Sequence, residues 1–232
     1  MNTIRTHLGK LKTERALNGV VSTLADVDAF PLGMGYLKRV SLELGTRLYC
    51  VIGGCEAIRD MYDARTFGVD GLIAPMIDSR YALEKFTEAV ASVYGEDERD
   101  TISLGIVFAS DYSIENAADI LSSNCSGKIS SCIIDIDTHD NDETRDSLPD
   151  FEAIGKSVSI IRSRGCEPVI QTSSTGNIPF IGEMSVKTIQ IGAVLLGLSG
   201  DMTRDRAVMD AALSINNEYE FFCSGGNRSG ES

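Results

Sequence analysis

The run Val51-Ile-Gly-Gly-Cys-Glu-Ala-Ile-Arg-Asp-Met61, followed by Gly71-Leu-Ile-Ala-Pro-Met76, constrains this chain more than any other feature. It reads as strand, Gly-Gly turn, amphipathic helix, strand and proline turn. Two short apolar strands joined through a helix run parallel, because a parallel pair needs a crossover of about a dozen residues or more. Such βαβ units place their chemistry-bearing turns at the strand C-termini.

The same rhythm runs to the end of the chain. Strands are predicted over 20–24, 47–53, 71–76, 101–109, 131–137, 167–173 and 185–192. The apolar run 193–198 reads either as an extension of the seventh strand or as an eighth. Helices are predicted over 32–44, 55–67, 79–94, 113–122 and 149–164, with a long terminal helix over 203–222. Within 79–94 the set Ala82, Leu83, Phe86, Ala89, Val90 and Val93 follows the helical period, so that face points inward. The acidic stretch 95–100 reads as a solvated connector. Regular β/α spacing, a length of 232 residues and no Gly-x-Gly-x-x-Gly after the first strand favour an α/β fold of the closed (β/α)8 barrel type over a doubly wound sheet. An incomplete barrel, or a terminal helix swapped between subunits, are the alternatives. No linker divides the chain, so residues 1–222 form one domain and 223–232 a disordered tail.

A net charge of −13 argues against nucleic acid or an anionic membrane as partner. No run approaches the roughly 20 apolar residues of a membrane span. Met1-Asn-Thr-Ile-Arg-Thr-His7 has no signal-peptide core, which makes the cytoplasm the expected compartment and His7 an exposed terminal residue. None of the six cysteines forms a CxxC pair, and Cys50 and Cys132 sit in apolar strand patterns, so reduced buried thiols are expected. With two histidines and no ligand spacing, structural zinc is not expected.

Candidate site residues are therefore sought at strand ends. After the second strand, Gly53 and Gly54 either open backbone N–H groups to an anion or make a tight turn with positive φ. Cys55 is either a thiolate stabilised by a helix start or a small residue at a crowded turn. Glu56 is either a ligand or base or a favourable charge in a first helical turn. Asp111, after the fourth strand, offers a carboxylate or a contribution to a helix cap. The densest group follows the fifth strand: Asp135, Asp137 and His139 share one face while extension persists, and two carboxylates with an imidazole can bind a divalent cation. An Asp135 inside a strand demands a partner, since an unpaired buried carboxylate is costly. His139 is the candidate proton carrier near neutral pH. After the sixth strand, Gln171-Thr-Ser-Ser-Thr-Gly-Asn177 can hold a carboxylate or phosphate, or form an ordinary polar loop. No strand end carries a Lys or Arg; Lys187 and Arg204 are outside candidates.

Val51 to Tyr62, Gly68 to Met76 and Tyr81-Ala-Leu-Glu-Lys-Phe86 resemble the HpcH/HpaI aldolase and citrate lyase β-subunit family, a group of phosphoenolpyruvate/pyruvate-type (β/α)8 barrels. The resemblance covers about Leu37 to Phe86, with weaker echoes at Ile114 to Ile120 and Asn216 to Phe221. It implies divalent-metal-assisted aldol cleavage or condensation of a 2-oxo acid such as pyruvate. It also implies Mg2+ or Mn2+, a homo-oligomer, and substrate contacts at Gly53, Gly54, Pro75, Met76 and Ser173. A divalent cation and a basic side chain stabilise the enolate oxygen in that chemistry.

The chain departs from this pattern at two positions. The basic residue expected ahead of Gly53 is Val51, and the metal-binding Glu expected at the end of the fourth strand falls at Ala109. The leading expectation is a pyruvate-type carbon–carbon lyase or synthase with a rearranged site. Asp137 with Asp135 or Asp111 would hold the metal, and His139, Glu56 or Cys55 would act in catalysis. The alternatives are a catalytically retired barrel serving as a binding or regulatory subunit, and a metal-free enzyme of a specialised biosynthetic pathway.

Overall fold

A computed structural model describes residues 2–24, 30–137 and 150–223. His139 and the tail 224–232 lie outside the described residues. Eight strands close into a barrel in sequence order: β1 (Leu17–Thr23), β2 (Arg47–Val51), β3 (Gly71–Ala74), β4 (Ser103–Phe108), β5 (Ser131–Asp135), β6 (Glu167–Gln171), β7 (Thr188–Ile191) and β8 (Val194–Gly197). The barrel is complete, which removes the alternative of an unclosed sheet.

Pairing is parallel from β1 through β7, but β8 runs antiparallel to both β7 and β1. Chain length explains the reversal. Ile191 pairs with Val194, so only Gly192 and Ala193 connect the two strands. A link that short makes a hairpin and never a crossover. The doubtful eighth strand is therefore real, and its direction departs from a regular (β/α)8 barrel.

Side chains alternate between two cores, as strand geometry requires. Val21, Ile73, Val107, Ile133, Val169 and Leu195 fill the barrel interior, with Tyr49 packed among them. Val20, Leu48, Leu72, Ile106, Ile134, Ile170, Ile189 and Leu196 face the helices. Tyr49 fits inside because its neighbours lack side chains: a Cβ on Gly19 would stand 2.8 Å from its ring, and one on Gly71 2.6 Å. At the N-terminal end of the barrel, Asn18 Nδ2 donates to Thr188 Oγ1 (3.3 Å), and that hydroxyl donates to Glu167 Oε1 (2.5 Å).

The helices are α1 (Asn2–Thr13), α2 (Phe30–Leu44), α3 (Ile58–Phe67), α4 (Arg80–Val93), α5 (Glu96–Arg99), α6 (Asp111–Glu115), α7 (Ala117–Ile120), α8 (Phe151–Ser163), α9 (Ile178–Glu183) and α10 (Met202–Cys223). Local chemistry sets several starts. Ser79 Oγ accepts from Ala82 N ahead of α4, and Asp150 accepts from Glu152 N and Ala153 N ahead of α8. The inward face of α4 is Leu83, Phe86, Val90 and Val93. The acidic connector is a helical turn, because Glu98 reaches back to Gly95 N (2.9 Å).

The N-terminal helix was not expected. Ile4, Leu8 and Leu11 recur at helical spacing and are buried, and α1 packs on α10. His7 accordingly sits half-buried on a helix, with its Nδ1 buried and unpartnered, and is no loose terminal residue. Among the described residues Cys50, Cys55, Cys125, Cys132 and Cys166 are free thiols, and burial pushes Cys50 up to about 12. No helix among the described residues is long and apolar enough to cross a membrane.

Candidate active site

The reversed strand decides what surrounds the barrel mouth. After β8 the chain emerges at the end where strands β1 and β7 begin: Gly197 N donates to Ala16 O, and Leu198 N to Lys187 O. Helix α10 starts there and climbs the outside of the barrel. Its last turns arrive at the opposite rim, where Asn216 Oδ1 accepts from Ala193 N (3.1 Å) in the hairpin tip. Lys187 and Arg204, the outside candidates for a basic group, belong to the far end; Arg204 Nη2 donates to Glu14 O (2.8 Å).

A cavity of about 360 Å3 occupies this mouth. One wall is mostly apolar and comes from β1 to β4: Val21, Val51, Ile73, Pro75, Val107 and Ala109, with the hydroxyl residues Ser22 and Thr23 of β1 at its edge. The other is polar and comes from β5 to β7 and α10: Asp135, Gln171, Gln190, Asn216, Tyr219 and Glu220. A groove of about 460 Å3 between α9 and α10 is larger, but it lies outside the barrel, and of the strand-end segments it takes only Thr175 and Gly176 from the turn after β6. Ligands of barrel enzymes bind where strand C-termini converge, which favours the mouth.

Asp135 ends β5 directly opposite Gln171 of β6. Gln171 Nε2 donates to Asp135 Oδ2 (2.9 Å), and Asp137 N donates to Asp135 Oδ1 (3.1 Å). Asp135 is 7% exposed and its carboxylate is hydrogen-bonded, which meets the demand that a buried charge be solvated by its surroundings. Gln190 of β7 is 5% exposed. Its Nε2 donates to Gly192 O (3.2 Å), whereas its Oε1 is buried with no partner among the described residues.

The other expected site residues fall into three groups. Pro75 lines the cavity with Asp135. Asp137 turns toward β6, where its carboxylate accepts from Thr172 Oγ1 (3.1 Å) and Ser173 N (2.5 Å). It thereby ties two strand ends together and engages the Ser173 amide. Gly53, Gly54, Cys55, Glu56, Met76 and Asp111 are not among the described residues that line the cavity. Gly53 N is taken by Asp60 Oδ2 (2.7 Å), and neither Gly53 nor Gly54 has positive φ. Cys55 packs half-buried against the outer core and Glu56 is exposed, because the turn occupies 53–56 and α3 begins only at Ile58. Met76 is 61% exposed with φ +53. Asp111 opens α6 in the open, and its neighbour Ser110 is the cap, accepting from Ser113 N (3.1 Å).

Val51 and Ala109 both line the cavity, so the positions assigned to a basic group and a metal-binding Glu do face the mouth, as apolar side chains. Among the described residues no three His, Cys, Asp or Glu side chains converge to hold a metal ion. With Ala109 in place of a Glu and Asp137 bound to β6, the described residues do not fit the divalent cation that the resemblance implies.

Sequence reasoning missed Gln190, Asn216, Tyr219 and Glu220. A signal existed for Gln190, an amide inside the otherwise β-branched strand Thr188-Ile-Gln-Ile191. For the α10 residues the signal was spacing: Asn216, Tyr219 and Glu220 share one polar helix face.

The fold is a (β/α)8-type barrel shared with solved structures that include aldolases. A citrate synthase, SbnG, superposes with a TM-score of 0.59 at 11% identity, covering 96% of this chain and 91% of its own. An HpcH/HpaI aldolase/citrate lyase family protein from Burkholderia cenocepacia gives 0.56 at 12% identity, covering 93% and 99%. The YdjI aldolase from Escherichia coli K12 gives 0.57 at 9% identity, covering 100% and 90%. No family model and no curated protein matches the sequence. At such identities the likeness defines a scaffold, and chemistry must be argued from the mouth itself.

Proposed function

We propose that this aldolase-type barrel binds a small organic molecule at its mouth without metal–enolate apparatus, and that Asp135 is the carboxylate that recognises it. What carries this reading is the wall composition. Val51 and Ala109 present hydrocarbon where an enolate would need positive charge, and the charged lining groups, Asp135 and Glu220, are negative. An entering 2-oxo acid meets like charge in a partly desolvated cavity, where repulsion at about 4 Å amounts to several kcal/mol. Pyruvate-type binding is disfavoured on that ground.

The test is calorimetric titration of pyruvate and oxaloacetate, with and without Mg2+ or Mn2+. No saturable heat is expected from the wild type. Joint replacement of Val51→Lys and Ala109→Glu restores the two groups on walls that already face the cavity, and metal-dependent pyruvate binding is the expected gain. Metal-dependent condensation of pyruvate with an aldehyde by the wild type, lost in Asp135→Ala, would overturn the reading.

A second reading keeps the carbon–carbon lyase with Mg2+ or Mn2+. It is favoured by one observation: Asp135 stands at the mouth, and the sequence directly after Asp137 carries His139, Asp140, Asp142 and Glu143. Mn2+ titration of wild type and Asp135→Ala separates the two; identical isotherms remove the metal.

A further inference from the structure

Among the described residues Gln190 Oε1 is a buried acceptor without a donor. The amide cannot resolve this by flipping, because its Nε2 is committed to Gly192 O at 3.2 Å, and the exchange would set oxygen against oxygen. Buried polar groups are nearly always partnered, and an exception on a cavity wall points to something that arrives from outside the chain. Gln190 is on such a wall, in the same polar sector as Asp135 and Gln171.

The charge around it is one-sided. Asp135 and Glu220 line the cavity, and no Lys or Arg does among the described residues. The orphan group and the charged groups are all acceptors, so a ligand must bring donors and gains by bringing positive charge. Facing them, Val21, Val51, Ile73, Val107 and Ala109 offer an apolar bed, bordered by the neutral hydroxyls of Ser22 and Thr23. A volume of about 360 Å3 suits a small organic body.

We infer that the mouth is a site for an organic ammonium cation, with its N–H donors on Gln190 Oε1 and the Asp135 carboxylate and its hydrocarbon body on the β1–β4 wall. This rests on the reading of the mouth as a small-molecule site and names the ligand class it takes. The polarity is opposite to that of a 2-oxo acid.

Three probes share one ring and differ in charge: cyclohexylammonium, cyclohexanol and cyclohexanecarboxylate. Each is titrated into the full chain at pH 7.5 and followed by saturation-transfer NMR and calorimetry. Cyclohexylammonium is expected to bind about tenfold or more tightly than cyclohexanol, and the carboxylate not at all. Asp135→Asn should bring the ammonium down to the level of the alcohol while leaving the alcohol unchanged. Gln190→Met removes the orphan acceptor at similar length, together with the donor to Gly192 O; it should weaken the ammonium several-fold while the ligand-free protein keeps a single cooperative melting transition. That thermal readout confirms folding. An alcohol that binds as tightly as the ammonium, with an Ala109→Phe plug abolishing both, refutes the cation while sparing the small-molecule reading. If none of the three probes binds, both fall. Tight carboxylate binding overturns the cation and the charge argument together.

Discussion

Gly192 is the position where one methyl group should do the most damage for a reason the structure spells out. Its φ is +50, and a Cβ built on it would stand 1.8 Å from Asn216 Oδ1. Alanine therefore meets two costs. The left-handed backbone costs a non-glycine residue roughly 1–2 kcal/mol. The side chain also evicts the Asn216 amide, breaking its 3.1 Å bond from Ala193 N, a donor on a residue only 8% exposed. Leaving that donor unpaired costs about 1–3 kcal/mol. Gly192→Ala should thus lose roughly 2–5 kcal/mol by urea unfolding, several degrees or more in melting temperature for a chain this long. Gly200→Ala supplies the control: φ is +84 but nothing lies within 4 Å of the new Cβ, so only backbone strain applies. Asn216→Ala alone loses the hydrogen bond. The double variant loses strain once and the bond once, so the two single losses should exceed the double by about 1–3 kcal/mol. A Gly192→Ala no worse than Gly200→Ala, or a cycle that is additive within about 0.5 kcal/mol, refutes the latch.

Three further outcomes are expected. Gly71→Ala drives a Cβ to 2.6 Å from the Tyr49 ring and 2.9 Å from Ser103 O, and should cost about 3 kcal/mol, part of it recovered by Tyr49→Leu, with urea midpoints as the measure. Asp205, 4% exposed, accepts from Ser199 N and Oγ and Gly200 N at the start of α10; Asp205→Ala should lose about 2–3 kcal/mol and Asp205→Asn less, seen in the same assay. The Arg65 guanidinium, helped by Gly95 N, holds Glu98 below the ordinary glutamate value. The folded form is therefore favoured above the unfolded glutamate pKa, and that share fades as pH falls through the lower folded value, so Glu98→Gln should flatten the acid limb of the stability profile below about pH 4.5.

Much of the barrel was legible because strand alternation and helix periodicity are local signals. Tyr49, Ile73, Val107, Ile133 and Val169 sit inside, and Leu83, Phe86 and Val90 press on the strands, as period-2 and period-3.6 patterns predict. The reversed β8 was also written in the chain. A helix cannot fit into Gly192-Ala193, and hairpin logic would have set the direction where apolar content alone left it open. The site was harder, since strand-end position does not say which partner a carboxylate takes. Asp135 and Asp137 both end the fifth strand pattern, yet one lines the mouth and the other binds the β6 turn, a choice made by Thr172 and Ser173 thirty-five and thirty-six residues on. Gly53 and Gly54 drew attention as an anion cradle, but Asp60, in the first turn of α3, takes the first of those amides. Asn216 reaches the hairpin from far along the sequence, a contact set only by the path of α10.

The climb of α10 has a practical corollary for anyone handling this chain. A purification tag or reporter appended directly behind Cys223 starts from the helix whose Asn216 and Glu220 line the mouth cavity. Extensions are better placed ahead of α1, and unequal ligand uptake between the two arrangements would measure how much the helix end governs entry.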